Sequence, residues 1–307
     1  MFSVGLLVYG FVWRSSQSRW TVGETVSAPG QGGSHATKSN LDDSASFVNA
    51  SWTVDSIEGT VLKRLVLRAG QHRLAPQRVF VLEVPKDAPY RFSFSYEPVR
   101  TVVSKHADRH GAFAAINGSF FDMDKHNPIC FLRIDGVQLG ENTPGVDTIN
   151  RKYYQYGCLV LREGRPVLLH TDSSRVWEQS LPDSNVMTAG PLLMLDGRAF
   201  PMRNDRTFVT QRHNRTALGI RADGTVLLVV VDGRMRESAG LSLTELIDVM
   251  RWLGCRDAIN LDGGGSTTMY MQGQPWQGVL NYPTDNGRFD HLGQRGVSNC
   301  VLLQKVQ

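Results

Sequence analysis

Near the C-terminus a short apolar strand pattern, Ala258-Ile259-Asn260-Leu261-Asp262, runs straight into Gly263-Gly264-Gly265 and then Ser266-Thr267-Thr268. Each glycine loses more backbone freedom on folding than any other residue and brings no side chain to pack, so three in a row need a local reason. The reasons available are φ angles above zero, a tight turn, and bare backbone N–H groups that an anion can approach closely. The period of two places Asn260 and Asp262 on one face of the strand and Ile259 with Leu261 on the other. A polar pair is thereby aimed at the glycine turn.

A chain of 307 residues with 41% apolar and 20% charged residues is globular, which excludes a mostly disordered or fibrous protein. Its 33 basic residues outnumber 29 acidic ones by four without forming an aromatic-laced basic block, so nucleic acid is not an expected partner. Cys130, Cys158, Cys255 and Cys300 match no zinc spacing and sit among apolar neighbours. Buried free thiols are the favoured reading, with three disulfide pairings open in an oxidising compartment.

Three regions are expected. Residues 1–14 hold an apolar segment, Met1 to Val12 followed by Trp13 and Arg14, shorter than the ~20 residues a spanning helix needs and without a basic n-region. It reads as a truncated signal or membrane anchor, or equally as an apolar element packed on the domain. Residues 15–46, rich in Ser, Gly, Thr, Gln and Asn, read as a flexible linker, and 47–307 as the folded domain.

Within that domain Val61 to Arg68, Gln77 to Val84 and Tyr90 to Tyr96 have strand composition. Pro98 is expected to open a helix carrying Val99, Val102, Val103 and a packed core His106. A strand from Ala112 to Ile116 follows, then Asn117-Gly118-Ser119-Phe120-Phe121. Asp135-Gly136, Glu163-Gly164, Asp196-Gly197 and Asp223-Gly224 read as hairpin turns. The segment Val186 to Leu195, broken by Gly190-Pro191, reads as a loop entering the site. Val226 to Val231 is apolar on both faces and belongs at the centre of a sheet. Ser242 and Glu245 form a capping box for a helix with a Leu243, Leu246, Ile247, Met250 stripe, ended by Gly254. Each of Ala115-Ile116-Asn117-Gly118 and Ile259-Asn260-Leu261-Asp262-Gly263 follows a helix, so two strand ends are expected to converge on one cleft.

The glycine run lacks the lysine of a nucleotide-triphosphate loop. Candidate groups for acid, base or nucleophile work are Asp122, Asp124, Asp232, Glu237 and Asp262, with Asp262 best placed. Arg215 and Arg234, at the two mouths of the apolar hairpin, offer planar donor forks suited to a phosphodiester or carboxylate. Asp232, Asn260 and Asp262 alternatively suit a hard cation, Ca²⁺ or Mg²⁺. Further loop polars are Asn117, Ser119, Asp147, Asn281, Asn299 and Gln294-Arg295. Phe120, Phe121, Tyr270 and Trp276 are candidates to stack a sugar face, although core packing is the commoner use of each.

At Ile116-Asn117-Gly118-Ser119-Phe120-Phe121, Arg215-Thr216-Ala217-Leu218-Gly219, Asp232-Gly233-Arg234, Gly240-Leu241-Ser242-Leu243 and Asn260 to Thr268, residues 100–304 resemble the phosphodiester glycosidase family. In the first motif Ser119 stands where that family usually has a glycine. The resemblance implies hydrolysis of the bond between sugar and phosphate in a sugar 1-phosphodiester, the glycan containing N-acetylglucosamine or belonging to an exopolysaccharide. It implies catalytic roles among Asp262, Arg215, Asp232, Glu237 and Asn260. Substrate contacts would come from Asn117, Ser119, Phe121, Arg234, Gly263, Gly264, Gly265, Ser266, Thr267 and Asn299. The expected fold is α+β: a mixed, largely antiparallel curved sheet with packed helices in a single catalytic domain, not a Rossmann fold. A carbohydrate phosphodiester or polysaccharide is the expected partner, in a bacterial periplasm or outside the cell, with N-terminal membrane association. The competing reading is a non-catalytic polysaccharide-binding or envelope structural protein.

Overall fold

The computed structural model describes residues 43–144, 151–171, 174–202 and 206–306; the expected anchor, most of the expected linker and Asp147 lie outside them. Numbered in chain order, the strands form three sheets, and every pairing between named strands is antiparallel. The eight-stranded sheet runs β1 (Thr53–Ile57), β2 (Thr60–Leu67), β3 (Gln77–Val84), β14 (Val226–Val231), β13 (Arg215–Arg221), β15 (Cys255–Asn260), β11 (Leu192–Leu195), β12 (Arg198–Ala199). A four-stranded sheet runs β16 (Met269–Met271), β5 (Ala114–Asn117), β17 (Val297–Lys305), β4 (Tyr90–Thr101). The five-stranded sheet runs β7 (Val137–Gly140), β6 (Leu132–Ile134), β10 (Val186–Ala189), β8 (Gly157–Arg162), β9 (Arg165–His170).

β14 shows why such a fold holds together. Val226, Leu228 and Val230 enter the cluster shared with Phe94, Ile116, Leu159, Met187 and Val301 from the other two sheets. Leu227, Val229 and Val231 enter a second cluster with Leu243, Leu246 and Met250 of helix α2 (Leu243–Trp252). A strand buried on both faces has no polar alternation to keep, which is what its sequence announced. Helix α1 (Val103–Arg109) covers the far side of the four-stranded sheet, where Val103 and Ala107 meet Ala115, Cys300 and Leu302. His106 is fully buried there, its Nδ1 2.9 Å from Ser95 Oγ and its Nε2 3.3 Å from Val297 O. The four cysteines are free and buried.

The antiparallel character stands, while the single curved sheet becomes three sheets with few helices. Pro98 does not open a helix: β4 continues through it to Thr101, because β17 pairs along this edge and Thr101 matches Val297. Val186 to Leu195 is not a loop. It is β10 and β11, in different sheets, with Gly190-Pro191 where the chain crosses between them. Among the described residues no helix is long and apolar enough to cross a membrane.

Candidate active site

The two strand ends do converge. Beyond β15, the Asp262 N–H donates to Gly118 O at 3.0 Å, just past the end of β5. Asn117 locks the junction: its Nδ2 donates to Asp262 O at 2.7 Å, and its Oδ1 accepts from Thr216 Oγ1 at 2.8 Å and Thr268 N at 3.1 Å. One buried amide therefore joins β5, β13 and the residues on both sides of the glycine run, with both acceptor positions and one N–H spent on the scaffold.

The glycines are required by what lies against them. Gly264 has φ of 62°, and a Cβ there would sit 3.1 Å from Arg234 Nη1 and 3.2 Å from Nη2. A Cβ on Gly265 would collide with the Arg295 guanidinium and the Asp285 carboxylate that binds it. A Cβ on Gly263 would meet Asn214 O at 2.7 Å. The backbone N–H groups are less available than the sequence suggested. Those of Gly263 and Gly264 donate to Asp262 Oδ1 and Asn214 O, both at 2.9 Å, while those of Ser266 and Thr267 turn back to Gly263 O and Gly264 O. The run thus works mainly by letting two guanidinium groups rest on bare backbone.

Asp262 is half-buried, and desolvation pushes its carboxyl up to about 6. Ser266, the charge of Arg295, the Gly263 N–H and the charge of Arg234 pull the other way. The Ser266 Oγ is buried without a partner in regular hydrogen-bond geometry. Arg234 is exposed, takes φ of 61° and donates from Nε to His213 Nδ1 at 3.0 Å. Desolvation, followed by the charges of Arg234 and Arg215, lowers His213 to about 4, so it stays neutral and keeps the lone pair Arg234 uses. Burial raises Tyr154 to about 12, with Asp262 among the charges acting on it, and its ring packs on Phe120 at 4.5 Å between centroids.

Other expected site residues have structural duties. Arg215 is 2% exposed; its Nε donates to Leu241 O at 2.8 Å and its Nη2 to Phe208 O and Gln211 O at 3.0 and 3.1 Å. Its guanidinium ties a loop to the hairpin. Asp232 is fully buried and accepts from Asn281 Nδ2 at 2.8 Å and from Tyr282 N at 3.1 Å, and desolvation pushes it up to about 7. Asn260 is buried with Nδ2 on Gly190 O and Leu261 O, leaving Oδ1 without a partner. Ser119 and Asn299 are buried against each other, Ser119 N donating to Asn299 Oδ1 at 2.6 Å, and the Ser119 hydroxyl is spent on Thr188 O. Phe121 packs in the core with Val103 and Tyr270 rather than facing a ligand. Thr267 is buried and pairs with Thr216, and Glu237 is exposed on the turn after Arg234, 4.0 Å from Arg236.

Of the three groups expected for a hard cation, Asp232 has both oxygens on residues 281 and 282, whereas Asn260 turns only Nδ2 to backbone and keeps its Oδ1 without a partner. No group of three or more His, Cys, Asp or Glu suited to a metal occurs among the described residues. The most informative residues are Arg295 and Asn281, noted in sequence only as loop polars, together with the additions His213 and Tyr154. Asn281 accepts from Met269 N and donates to Thr267 O and Asp232, so it braces the far end of the glycine run. A lone Arg or Asn in a loop gives no sequence signal of such placement.

The family model for phosphodiester glycosidase matches residues 110–304. The mouse (Mus musculus) N-acetylglucosamine-1-phosphodiester alpha-N-acetylglucosaminidase is 28% identical over 221 residues, 67% of this chain and 40% of that protein. The uncharacterized SPbeta prophage-derived protein YomE of Bacillus subtilis (strain 168) is 38% identical over 63 residues, 20% of this chain and 10% of that protein. The chain thus spans well under half the length of these relatives. Among solved structures, the catalytic domain of the zebrafish N-acetylglucosamine-1-phosphodiester alpha-N-acetylglucosaminidase, auto-inhibited by its pro-peptide, matches with a TM-score of 0.61 at 21% identity. That match covers 83% of this chain and 86% of the zebrafish one. A hypothetical protein from Synechocystis matches with a TM-score of 0.56 at 16% identity, over 82% and 63% of the two chains. With the family model covering most of the chain and the three antiparallel sheets matching a family member's fold, this protein belongs to the phosphodiester glycosidase family.

Proposed function

We propose that this protein hydrolyses the bond between the anomeric carbon and the phosphate oxygen of a sugar 1-phosphodiester. The observation that carries the reading is the glycine turn on which the half-buried Asp262 shares one electrostatic environment with two guanidinium groups, Arg234 and Arg295. The exposed Arg234 offers its Nη groups to a phosphodiester anion, and Arg295, whose Nε and Nη2 are on Asp285, offers Nη1. Phe120 and Tyr154 supply an aromatic wall beside it for a sugar ring.

In this reading Asp262 is the general acid. Water attacks the anomeric carbon and releases a proton to solvent, the carbon–oxygen bond breaks, and the bridging oxygen takes the Asp262 proton and leaves as a terminal oxygen of a phosphomonoester monoanion, after which solvent reprotonates Asp262. The second ionisation of a phosphomonoester lies near pH ~6, and Asp262 is raised to about 6. The proton transfer is nearly balanced, which is where general acid help is most effective. Arg234 and Arg295 stabilise the charge that gathers on the departing phosphate. Arg215 and Asp232 serve by holding the walls. No step is routed through a metal.

An N-acetylglucosamine or exopolysaccharide substrate, and action in a cell envelope, belong to this proposal. They are supported by the family and by the apolar start of the chain. The test is incubation with a panel of sugar 1-phosphodiesters in ¹⁸O-labelled water, followed by mass spectrometry. Label in the released sugar supports the reading. Label in the phosphate means phosphorus–oxygen cleavage, and binding without product means a carbohydrate-binding role; either sinks it.

A further inference from the structure

A second cleft lies apart from Asp262, Arg234 and Arg295. It has a volume of about 600 Å³, within the range of small-molecule sites. Its floor is the face of β2 and β3, and its other wall is the segment 274–291. Three arginines line it, Arg64, Arg68 and Arg78, together with His291, and not one Asp or Glu does. Arg64 is paired with Asp55, outside the lining. Arg68 and Arg78 carry no ion pair among the described residues. The Arg78 Nε is moreover buried without a hydrogen-bond partner. In a chain whose net charge is only +4, a carboxylate-free cleft with three guanidinium groups is a strong local concentration of positive charge.

The aromatic side is equally specific. Trp276 is 61% exposed, the kind of surface a folded protein normally hides. Its ring is stacked on His291 at 5.3 Å and 13°. His291 packs in turn on Tyr282 at 4.2 Å, and Tyr282 lies 5.2 Å beneath the Arg78 guanidinium. Trp276 and Gln277 both hold φ in the left-handed region, at 58° and 57°, which bulky residues avoid. Tertiary structure imposes that strain and presents the indole at the mouth of the cleft.

We infer that this cleft is a binding site for an acidic oligosaccharide, its carboxylate or phosphate groups held by Arg68 and Arg78 and a sugar face laid on Trp276. Planar donor forks recognise those anions in bidentate fashion, and an exposed indole offers a flat apolar face with a polar edge. The site goes beyond the catalytic reading and does not depend on it. The two regions meet at the segment of Asn281 and Tyr282, which braces the glycine run from one side and lines the cleft from the other, and at Arg78, whose carbonyl accepts from Asp232 N at 3.1 Å.

The test is calorimetric titration of the full chain with hexagalacturonate, with maltohexaose phosphorylated at its 6-positions, with neutral maltohexaose, and with linear hexaphosphate. One or both acidic hexasaccharides bind, and which one tells carboxylate from phosphate; neutral maltohexaose does not bind. Trp276→Ala and Arg68→Ala each weaken binding about tenfold, leaving the melting temperature and any turnover of a small sugar 1-phosphodiester unchanged. Asp262→Asn leaves binding intact, so absence of turnover does not touch the result. The inference is overturned if neither acidic sugar binds, if Trp276→Ala has no effect and hexaphosphate binds as tightly as the sugars, or if Asp262→Asn abolishes binding.

Discussion

The Arg234 guanidinium rests on Gly264, at a distance where the Cβ of any other residue would stand 3.1 Å from Nη1. The two residues follow β14 and β15, which flank β13, and their contact adds to the left-handed φ of 62° as a reason for glycine at this position. Gly264→Ala is expected to cost on the order of 1–2 kcal/mol through its left-handed φ and to push Arg234 off the turn. Turnover of a sugar 1-phosphodiester should fall more than tenfold while the protein remains folded by circular dichroism. An unchanged kcat/KM would show that the contact is incidental.

Arg215 and Arg234 are expected to separate cleanly. Arg215→Ala takes a donor from three carbonyls, those of Leu241, Phe208 and Gln211, and should lower stability by on the order of 3 kcal/mol in a urea titration. Arg234→Ala removes an exposed side chain, so stability should barely move while KM rises and kcat falls. A stable Arg215→Ala protein would contradict the structural duty assigned to it.

Asp262 sets the acid side of the reaction. Its carboxyl titrates at about 6, and the protonated form is the one that donates, so kcat should decline as pH rises through that value. Asp262→Asn should lower kcat by about 10²- to 10⁴-fold and abolish this decline. A variant that retains the wild-type pH profile would remove Asp262 from the proton transfer.

Asp232 offers a stability measurement independent of turnover. Burial raises its folded-state pKa from 3.8 to about 7, so the folded protein holds a proton that the unfolded chain has already released. Its contribution is therefore most favourable below pH 3.8 and is lost as pH rises to about 7. Compared with Asp232→Asn, the wild type should lose unfolding free energy across that window. Parallel stability curves for the two proteins would refute the buried, desolvated carboxyl.

Asn117→Ala tests the junction of the two strand ends. It strips the Thr268 N–H and the Asp262 carbonyl of their partner inside the fold, at an expected cost of about 2–4 kcal/mol. Turnover should fall with it, because the residue that turns Asp262 toward the glycine run is gone. Denaturation and kinetics on one preparation check both.

Much of the fold was legible because local rules and tertiary demands agreed. The capping box of Ser242 and Glu245 forms as read, Ser242 Oγ accepting from Glu245 N at 3.2 Å, and Leu243, Leu246, Ile247 and Met250 are buried. The two-faced apolar run of β14 lies between β3 and β13. Pro98 misled because strand pairing with β17 outweighed a local helix signal. Pro191 misled because a proline between two sheets resembles one in a loop. Ser119, Asn299 and Phe121 sit in the right motif but face inward, and the motif alone does not give the side-chain direction.

The amino-acid sequence by itself pointed to antiparallel hairpins, to a meeting of the Asn117 and Asp262 strand ends, and to the family, because turn residues, period-two patterns and motif strings are local features. Only the tertiary structure decided which polar groups remain free to act. Arg215, Asp232 and Asn117 are held by hydrogen bonds within the fold, whereas Arg234 lies exposed against Gly264 and Arg295, paired with Asp285, lies against Gly265, both glycines distant in sequence. Desolvation and charge proximity depend on through-space packing, and no run of letters along one strand carries that information.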